Sequence, residues 1–346
     1  MNTIKYILCA LTTMLAISSC DTDIEQKTIS KPFTYDANYY QNLRDYKARK
    51  HSIAFAWFAQ YGTQHSAGVR FNGLPDSLDI CSLWGGIPAK EDQQIWSELR
   101  FTQKVKGTKM IVVTIPTLED GTDDLPYKMA YNEAMKLEGE AREAGLKKAV
   151  ELYALHFVDE VFDNDLDGFE ADLEQSGILA EGDYYNYFMD VLARYMGPNP
   201  GITKAERLAL IEERYGKDVA STNHIADKLL CIDSPSIPTY RDIYSYLFLQ
   251  TYTGGEEGKL PINANGDLLT YGWPEEKYVL CTNLGDNWKG KMEMMYEHAA
   301  FKPANGKMKG GFGTFFVQRD YLVHENNPEP YYRFRQCIQI QNPSIR

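Results

Sequence analysis

The acidic run at residues 163–174 is the part of this 346-residue sequence that could most directly do chemistry. It reads DNDLDGFEADLE and ends in a strand-like stretch. Because side chains of a strand point alternately to opposite faces, Glu170, Asp172 and Glu174 share one face, and the apolar residues between them share the other. In a closed sheet the apolar face would pack against helices. The three acids would then point inward, with successive acids about 6.5–7 Å apart.

Carboxyl groups stacked in this way cannot all ionise, since neighbouring negative charges raise each other's pKa. A carboxyl that keeps its proton near neutral pH can serve as a general acid. Two other interpretations stay open, a solvated acidic edge strand and a calcium-binding loop. The calcium loop is disfavoured because no glutamate stands in register at its twelfth position, and Leu166 and Gly168 fall at the wrong offsets.

The elements that must position these acids alternate between strand-like and helix-like segments. Helical patterns cover residues 125–162, with a break predicted at Gly145, and residues 183–195. A third helix opens with a capping box from Thr203 to Glu206 and stops at Gly216. Eight short runs bounded by Gly, Pro, Asn or Asp are predicted as strands: Ile53–Ala59, Leu78–Leu83, Lys109–Pro116, Leu166–Glu174, Lys228–Asp233, Tyr244–Tyr252, Tyr278–Asn283 and Gly311–Gln318.

Strands that alternate with helices indicate an α/β fold with a parallel sheet. Eight such units in roughly 300 residues predict a closed (β/α)₈ TIM barrel. The alternative is a doubly wound open sheet, but neither a GxGxxG motif nor a P-loop follows the first strand. The connection Ser234–Ile243 is short, so one outer helix is expected to be missing between strands five and six.

The segment Asp167–Glu174 resembles the DGxDxDxE signature of glycoside hydrolase family 18, which includes chitinases and endo-β-N-acetylglucosaminidases. Its place on the fourth of eight strands is also similar. The resemblance implies that Glu174 is the general acid/base. It implies that Asp172 orients the substrate's acetamido group and supports an oxazolinium intermediate. The nucleophile would be the substrate's own N-acetyl oxygen, so one enzymic acid suffices.

The resemblance also suggests substrate-binding residues at the barrel rim. Endo-acting members carry a tyrosine at the end of the sixth strand that bonds the acetamido group, which implies this role for Tyr252, and Gln250 lies on the same face. A tyrosine that merely lines the core is the alternative. Trp57, Trp84 and Trp288 stand at or just after the ends of strands one, two and seven. They are therefore candidates for stacking on sugar rings, with core packing the alternative for each.

Three departures from the family pattern are visible. Glu170, which we group with the substrate-binding residues, stands where the family usually has Asp, so its hydrogen bond to Asp172 is expected to be displaced. The third strand, residues 111–117, reads IVVTIPT and lacks the chitinase SxGG pattern. The eighth strand ends FFVQ at residues 315–318, without the usual Trp. These departures weaken the chitinase interpretation more than the endoglycosidase one.

The N-terminus predicts export. Residues 1–19 hold one cation, Lys5, then an apolar stretch and small residues before Cys20, as in a signal peptide. The apolar stretch is short for a bilayer span. The ending resembles the lipobox of bacterial lipoproteins, which implies acylation of Cys20. The acidic run after it resembles the signal that sends Bacteroidetes lipoproteins to the cell surface. We therefore expect a surface-exposed protein, lipid-anchored in the outer membrane; an ordinary secreted protein is the alternative.

Composition narrows the partners. We divide the chain into a signal peptide (1–19), a polar tether (20–45) and a catalytic barrel (46–346). The net charge of −12 becomes −13 without Lys5, which argues against nucleic acid or an anionic lipid face as a partner. The 24 Tyr and 5 Trp residues suit sugar binding. No zinc-type spacing is present, so no metal is expected. Four cysteines are expected as buried free thiols rather than disulfides: Cys81, Cys231, Cys281 and Cys337.

The resemblance and the predicted location together imply an endo-β-N-acetylglucosaminidase that acts on N-linked glycans of glycoproteins, or on other glycans that contain N-acetylglucosamine. It would cut between the two core N-acetylglucosamines with retention of configuration and without a cofactor. The alternative is a surface lipoprotein that uses the same barrel to bind glycan without cutting it. The presence of Glu174 speaks against this alternative, and Glu170 speaks mildly for it.

Overall fold

The computed structural model describes residues 35–62, 67–174, 176–252, 271–285, 288–303 and 305–344. The chain divides into a short N-terminal unit, residues 1–39, and a compact unit, residues 40–346. In the first unit the rings of Tyr35 and Tyr39 stack with their centroids 3.8 Å apart. Cys20 and the predicted signal peptide lie outside the described residues, so the lipid anchor stays a prediction.

Eight parallel strands close into a barrel in sequence order. Strand β1 pairs with β2 on one side and with β8 on the other, where Ile53 lies opposite Gly311. All eight predicted strands are present, several with shorter ends, so the predicted (β/α)₈ barrel is confirmed. The strands are β1 Ile53–Phe58, β2 Ile80–Leu83, β3 Lys109–Thr114, β4 Gly168–Asp172, β5 Leu229–Ser234, β6 Leu247–Gln250, β7 Tyr278–Asn283 and β8 Gly311–Phe315.

Helices surround the barrel. The capping box predicted at Thr203 is confirmed, since its side chain accepts a hydrogen bond from the Glu206 backbone N–H and Glu206 reciprocates. Residues 235–246, between β5 and β6, contain no helix, as the short connection predicted. No helix in the described part of the chain is long and apolar enough to cross a membrane. The α-helices within the described residues are α1 Ala37–Ala48, α2 Gln93–Arg100, α3 Pro126–Ala134, α4 Gly139–Asp163, α5 Tyr184–Tyr195, α6 Lys204–Tyr215, α7 Lys217–Ala220, α8 Glu293–Ala300 and α9 Tyr332–Gln341.

The helical region between β3 and β4 does not break at Gly145, so that prediction was wrong. The break lies at residues 135–138, and Gly145 stands inside α4. A Cβ atom added at Gly145 would lie 2.8 Å from the Cβ of Ala134. The glycine therefore lets α3 and α4 pack closely, and this packing offsets the low helix propensity of glycine.

Helix α1 lies partly within the segment for which the sequence predicts a polar tether up to residue 45. Leu43 is buried, and Arg44 donates a hydrogen bond to the Val105 carbonyl at 2.8 Å. The Lys47 ammonium donates to the Leu78 carbonyl at 2.6 Å. Part of the predicted tether, residues 37–45, is thus helical. Its attachment rests mainly on hydrogen bonds from long cationic side chains, which hydrophobic periodicity does not register.

The barrel interior is apolar toward the amino ends of the strands and acidic toward their carboxyl ends. The rings of Phe55 and Phe248 stack with centroids 3.5 Å apart, an arrangement worth about 0.5–1.5 kcal/mol beyond area burial. Gly313 makes room for Phe55 and Cys281, since a Cβ at Gly313 would lie 2.8 Å from both the Phe55 ring and the Cys281 sulfur. Four cysteines, which include those of β2, β5 and β7, are free and buried, as predicted.

Candidate active site

Strand β4 carries the acids as the alternation predicted. Phe169 and Ala171 belong to the outer core that packs against the helices. Glu170 and Asp172 lie inside the barrel, with 0% and 2% of their surface exposed. Glu174 follows the end of the strand, and its side chain is exposed. The carboxyl ends of the strands form the face that carries the active site in barrels of this kind, so the exposed acid stands at the open end of the buried pair.

Glu170 is held by donors from two other strands. The Trp57 indole N–H donates to its Oε1 at 3.0 Å, and the Ser82 hydroxyl donates to its Oε2 at 2.5 Å. Burial raises the pKa of Glu170 above its usual value, the hydrogen bond from Ser82 opposes this effect, and the charge of Asp172 adds to it.

Asp172 lies next to the amide of Gln250. The Gln250 Nε2 atom is 3.4 Å from Asp172 Oδ1, a long contact, and it donates to Asp233 Oδ2 at 2.8 Å. Burial and the charge of Glu174 raise the pKa of Asp172 to about 7. The prediction that at least one of the stacked acids has a raised pKa is thus confirmed for Glu170 and Asp172. Asp172 is consequently poised between its two protonation states near neutral pH.

Asp233 and Ser82 belong to this cluster, and sequence reasoning missed both. Asp233 is fully buried and lies opposite Asp172 in the β4–β5 register. Burial, then the charges of Glu170 and Asp172, raise its pKa well above the usual value. Both residues are polar side chains near the ends of otherwise apolar strand runs, LLCID and LDICSLW. That contrast is the signal that could have identified them.

Tyr252 and Phe315 form an aromatic surface beside the acids. Their rings are stacked with centroids 6.0 Å apart, and Tyr252 also contacts Trp57 edge-on at 6.5 Å. Burial raises the pKa of Tyr252 above its usual value, and the neighbouring Cys281 thiol and acidic side chains add to this effect. The phenol therefore keeps its proton and can donate a hydrogen bond. Phe315 ends β8, the strand that lacks a Trp.

The three candidate tryptophans lie in different environments. Trp57 is fully buried within the barrel, where its indole holds Glu170. Trp84 is half-buried and contacts Phe315 edge-on, with centroids 5.0 Å apart. Trp288 is half-buried and packs against His324 at 5.3 Å. The fold thus brings Trp57 and Trp84 to the aromatic surround of the acids, and Trp288 to a separate contact.

The Trp57–Glu170 hydrogen bond predicts a stability effect. Trp57→Phe removes the donor and leaves Glu170 Oε1 buried without it, so the free energy of unfolding should fall by about 2–3 kcal/mol. Urea denaturation measures this change. Trp96→Phe is the matched control, because the Trp96 indole donates at 3.1 Å to the Ala89 carbonyl in the outer layer. Equal destabilisation of the two variants would mean that the bond to Glu170 has no special weight.

No cluster of three or more His, Cys, Asp or Glu side chains within the described ranges is arranged to hold a metal ion. Four acids meet at the open end of the barrel: the exposed Glu174 and the buried Glu170, Asp172 and Asp233. A phenol and an amide from β6 complete the arrangement. Such a site combines an accessible carboxyl group with buried groups that can bind a neutral polar group and stabilise developing positive charge.

Solved structures share this architecture. A selenomethionine variant of the protein BT1044 with a glutamate replaced by glutamine aligns with a TM-score of 0.64 and 21% identity, over 89% of this chain and 93% of that chain. The endo-β-N-acetylglucosaminidase from Cordyceps militaris, an Asp→Asn and Glu→Gln mutant in complex with fucosyl-N-acetylglucosamine-Asn, aligns with a TM-score of 0.59 and 18% identity, over 90% and 98%. At these identities the similarity shows the fold alone. No curated protein sequence matches this chain.

The family itself is shown by sequence. The family model "Glycoside hydrolase family 18, BT1044-like" matches residues 19–204, which is more than half of the chain. The matched stretch contains strands β1 to β4 and includes Glu170, Asp172 and Glu174. The protein therefore belongs to glycoside hydrolase family 18.

Proposed function

We propose that this protein is an endo-β-N-acetylglucosaminidase that hydrolyses the bond between the two core N-acetylglucosamines of N-linked glycans. The observation that carries the proposal is the arrangement on β4. An exposed Glu174 stands two residues beyond a buried Asp172 whose pKa is raised to about 7. The Cordyceps militaris endo-β-N-acetylglucosaminidase of similar fold is in complex with fucosyl-N-acetylglucosamine-Asn, and this adds support for a glycan of that kind as substrate.

In the proposed mechanism the Glu174 carboxyl protonates the leaving glycosidic oxygen. The substrate's acetamido oxygen attacks the anomeric carbon as that bond breaks, which gives an oxazolinium ion and needs no enzymic nucleophile. Water then attacks the anomeric carbon from the same side that the leaving group vacated, and Glu174 accepts its proton. Two displacements at one carbon retain the configuration.

Asp172 and Tyr252 hold the acetamido group in this proposal. The Asp172 carboxyl accepts the acetamido N–H, and its negative charge offsets the positive charge of the oxazolinium ion. Because the pKa of Asp172 is raised to about 7, a nearby positive charge would favour the ionised form when it is needed. The Tyr252 hydroxyl donates to the acetamido oxygen. Phe315 and Trp84 offer aromatic surfaces on which a sugar ring could stack.

The proposal is tested by mixing the purified protein with an N-glycosylated protein and measuring the mass of that substrate. Hydrolysis leaves one N-acetylglucosamine on each asparagine, so the mass falls by the rest of the glycan. The competing function is a lectin on the same barrel, and it predicts that the glycoprotein is retained on the immobilised protein with no change in mass. The exposed Glu174 favours hydrolysis, since glycan binding alone does not require a proton donor.

We also propose that the protein is a lipoprotein of the outer membrane, anchored through Cys20 and exposed at the cell surface. Support comes from the signal-peptide pattern of residues 1–19 and the acidic run after Cys20. This location would bring the barrel to glycoproteins outside the cell, which are too large to cross the outer membrane freely.

Cys20→Ala is expected to move the protein out of the membrane fraction, because the thiol that would be acylated is absent. Cell fractionation followed by immunoblotting measures the distribution. Cys9→Ala is the matched control, since Cys9 lies within the predicted signal peptide, and it should leave the mature protein in the membrane fraction. A Cys20→Ala protein that still sediments with membranes in high salt would rule out this anchor.

A further inference from the structure

Asp233 is a buried acid that the mechanism above does not use. One of its oxygens, Oδ2, accepts a hydrogen bond from Gln250 Nε2 at 2.8 Å. The other oxygen, Oδ1, is buried and has no hydrogen-bond donor within the described residues. A buried oxygen without a hydrogen-bond partner costs free energy. The neighbouring groups should therefore show how this oxygen can form a hydrogen bond.

The Asp233 side chain is within hydrogen-bonding reach of the Glu170 side chain, and Asp233 lies opposite Asp172 in the β4–β5 register. Two carboxyl groups can form a hydrogen bond only when one of them carries a proton, because an ionised carboxylate accepts and never donates. Both Glu170 oxygens already accept, from Trp57 and from Ser82. Asp233 Oδ1 is therefore the position at which a proton would complete the network.

We infer that Asp233 is a positioning residue that stays protonated at Oδ1 while the enzyme works and donates this hydrogen bond to the Glu170 carboxylate. The inference rests on the proposed hydrolytic function, which it deepens. Glu170 would then have three donors, from β1, β2 and β5. The negative charge of Glu170 would be held two residues before Asp172, on the same face of β4. Asp233 would also hold the Gln250 amide beside Asp172.

The charges around Asp233 agree with a neutral acid. Burial raises its pKa well above the usual value, and the charges of Glu170 and Asp172 add to this effect. The titratable groups that act on it, or on which it acts, are acids, thiols and phenols, which are neutral or negative: Glu170, Asp172 and Glu174 of β4 and its end, Cys231 of β5, Tyr252 after β6, Cys281 of β7 and Tyr185 of α5.

Two substitutions separate a neutral donor from a required negative charge. Asp233→Asn keeps the shape, accepts from Gln250 through its oxygen and donates to Glu170 through its amide. Asp233→Leu removes both hydrogen bonds. We expect kcat on a glycoprotein to fall by about two- to threefold in Asp233→Asn and by about tenfold or more in Asp233→Leu, with KM little changed in both. If Asp233→Asn loses as much turnover as Asp233→Leu, or if Asp233→Leu loses none, the inference is overturned.

The pH profile adds a readout that a merely structural residue would not move. At alkaline pH the wild-type Asp233 loses its proton and places a second negative charge beside Glu170. An asparagine cannot ionise, so the alkaline limb of kcat should become shallower or move to higher pH in Asp233→Asn. A limb of unchanged slope and position would contradict the inference.

Infrared spectroscopy measures whether Asp233 is protonated and does not depend on enzyme activity. It therefore tests the inference even if Asp233→Leu folds poorly. The wild type should show the carbonyl stretch of a neutral carboxyl group at pH 6 that Asp233→Asn lacks. Glu160→Gln is the control, because burial raises the pKa of Glu160 on α4 to about 7. That variant should lose a comparable band and keep the wild-type pH profile of kcat.

The two proposals fail in different ways. If the wild type releases no glycan, the hydrolytic function fails, and the infrared comparison still decides whether Asp233 is protonated. If the wild type is active and Asp233→Asn shows the same neutral-carboxyl band as the wild type, Asp233 is ionised. Its proposed role is then wrong, while the hydrolytic function stands.

Discussion

Glu174→Gln is expected to lower the rate of glycan hydrolysis by about 10²–10⁴-fold and to leave glycan binding intact. The amide is nearly isosteric with the carboxyl group, so the contacts of a bound glycan are kept. It cannot give a proton to the leaving oxygen, and general acid catalysis is typically worth this factor. Because Glu174 is exposed beyond the end of β4, the substitution should not disturb the buried network of Glu170 and Asp233.

Two measurements are needed, the initial rate of glycan release and the affinity for a glycopeptide. Glu181→Gln is the matched control, since Glu181 is an exposed glutamate in the same connection between β4 and α5. It should keep the wild-type rate. Turnover of Glu174→Gln within about threefold of the wild type would remove Glu174 from its role. Full activity loss together with lost binding would instead indicate a folding defect.

Asp172→Asn should strongly lower turnover on N-acetylated substrates and yet leave partial activity on a preformed oxazoline. Asp172 is proposed to orient the acetamido N–H and to offset the positive charge that develops when its oxygen attacks. An oxazoline donor arrives with that ring already closed, so the step that needs Asp172 has been completed. Glu174 then acts on the second half of the reaction, as a base for water or an acceptor sugar.

The measurement is a pair of rates, glycoprotein hydrolysis and oxazoline consumption, in the wild type and in the variant. We expect the first rate to fall by about 10²-fold or more, in the range seen when a transition-state contact is lost, and the second to fall much less. The wild type sets the reference for each substrate. If both rates fall by the same factor, Asp172 does not assist the acetamido group, and the substrate-assisted mechanism is wrong even though the family assignment holds.

Local patterns determined the fold of this protein to a large extent. Eight short runs bounded by turn residues predicted eight strands, and the two-residue period of residues 168–174 placed Glu170 and Asp172 inside the barrel. The short Ser234–Ile243 connection predicted the absent helix. These features depend on residues that are close together in the sequence, so they could be recognised without knowledge of the tertiary structure.

Tertiary structure alone decided which strands supply the partners of the acids. Glu170 is held by Trp57 from β1, 113 positions away, and by Ser82 from β2. Which residues share a level inside a barrel depends on the tilt and stagger of its strands, which no local pattern encodes. For this reason the role of Trp57 and the presence of Asp233 were not predicted. Gly145 was misjudged for a related reason, because only the packing of α3 on α4 shows why a glycine stands inside a helix.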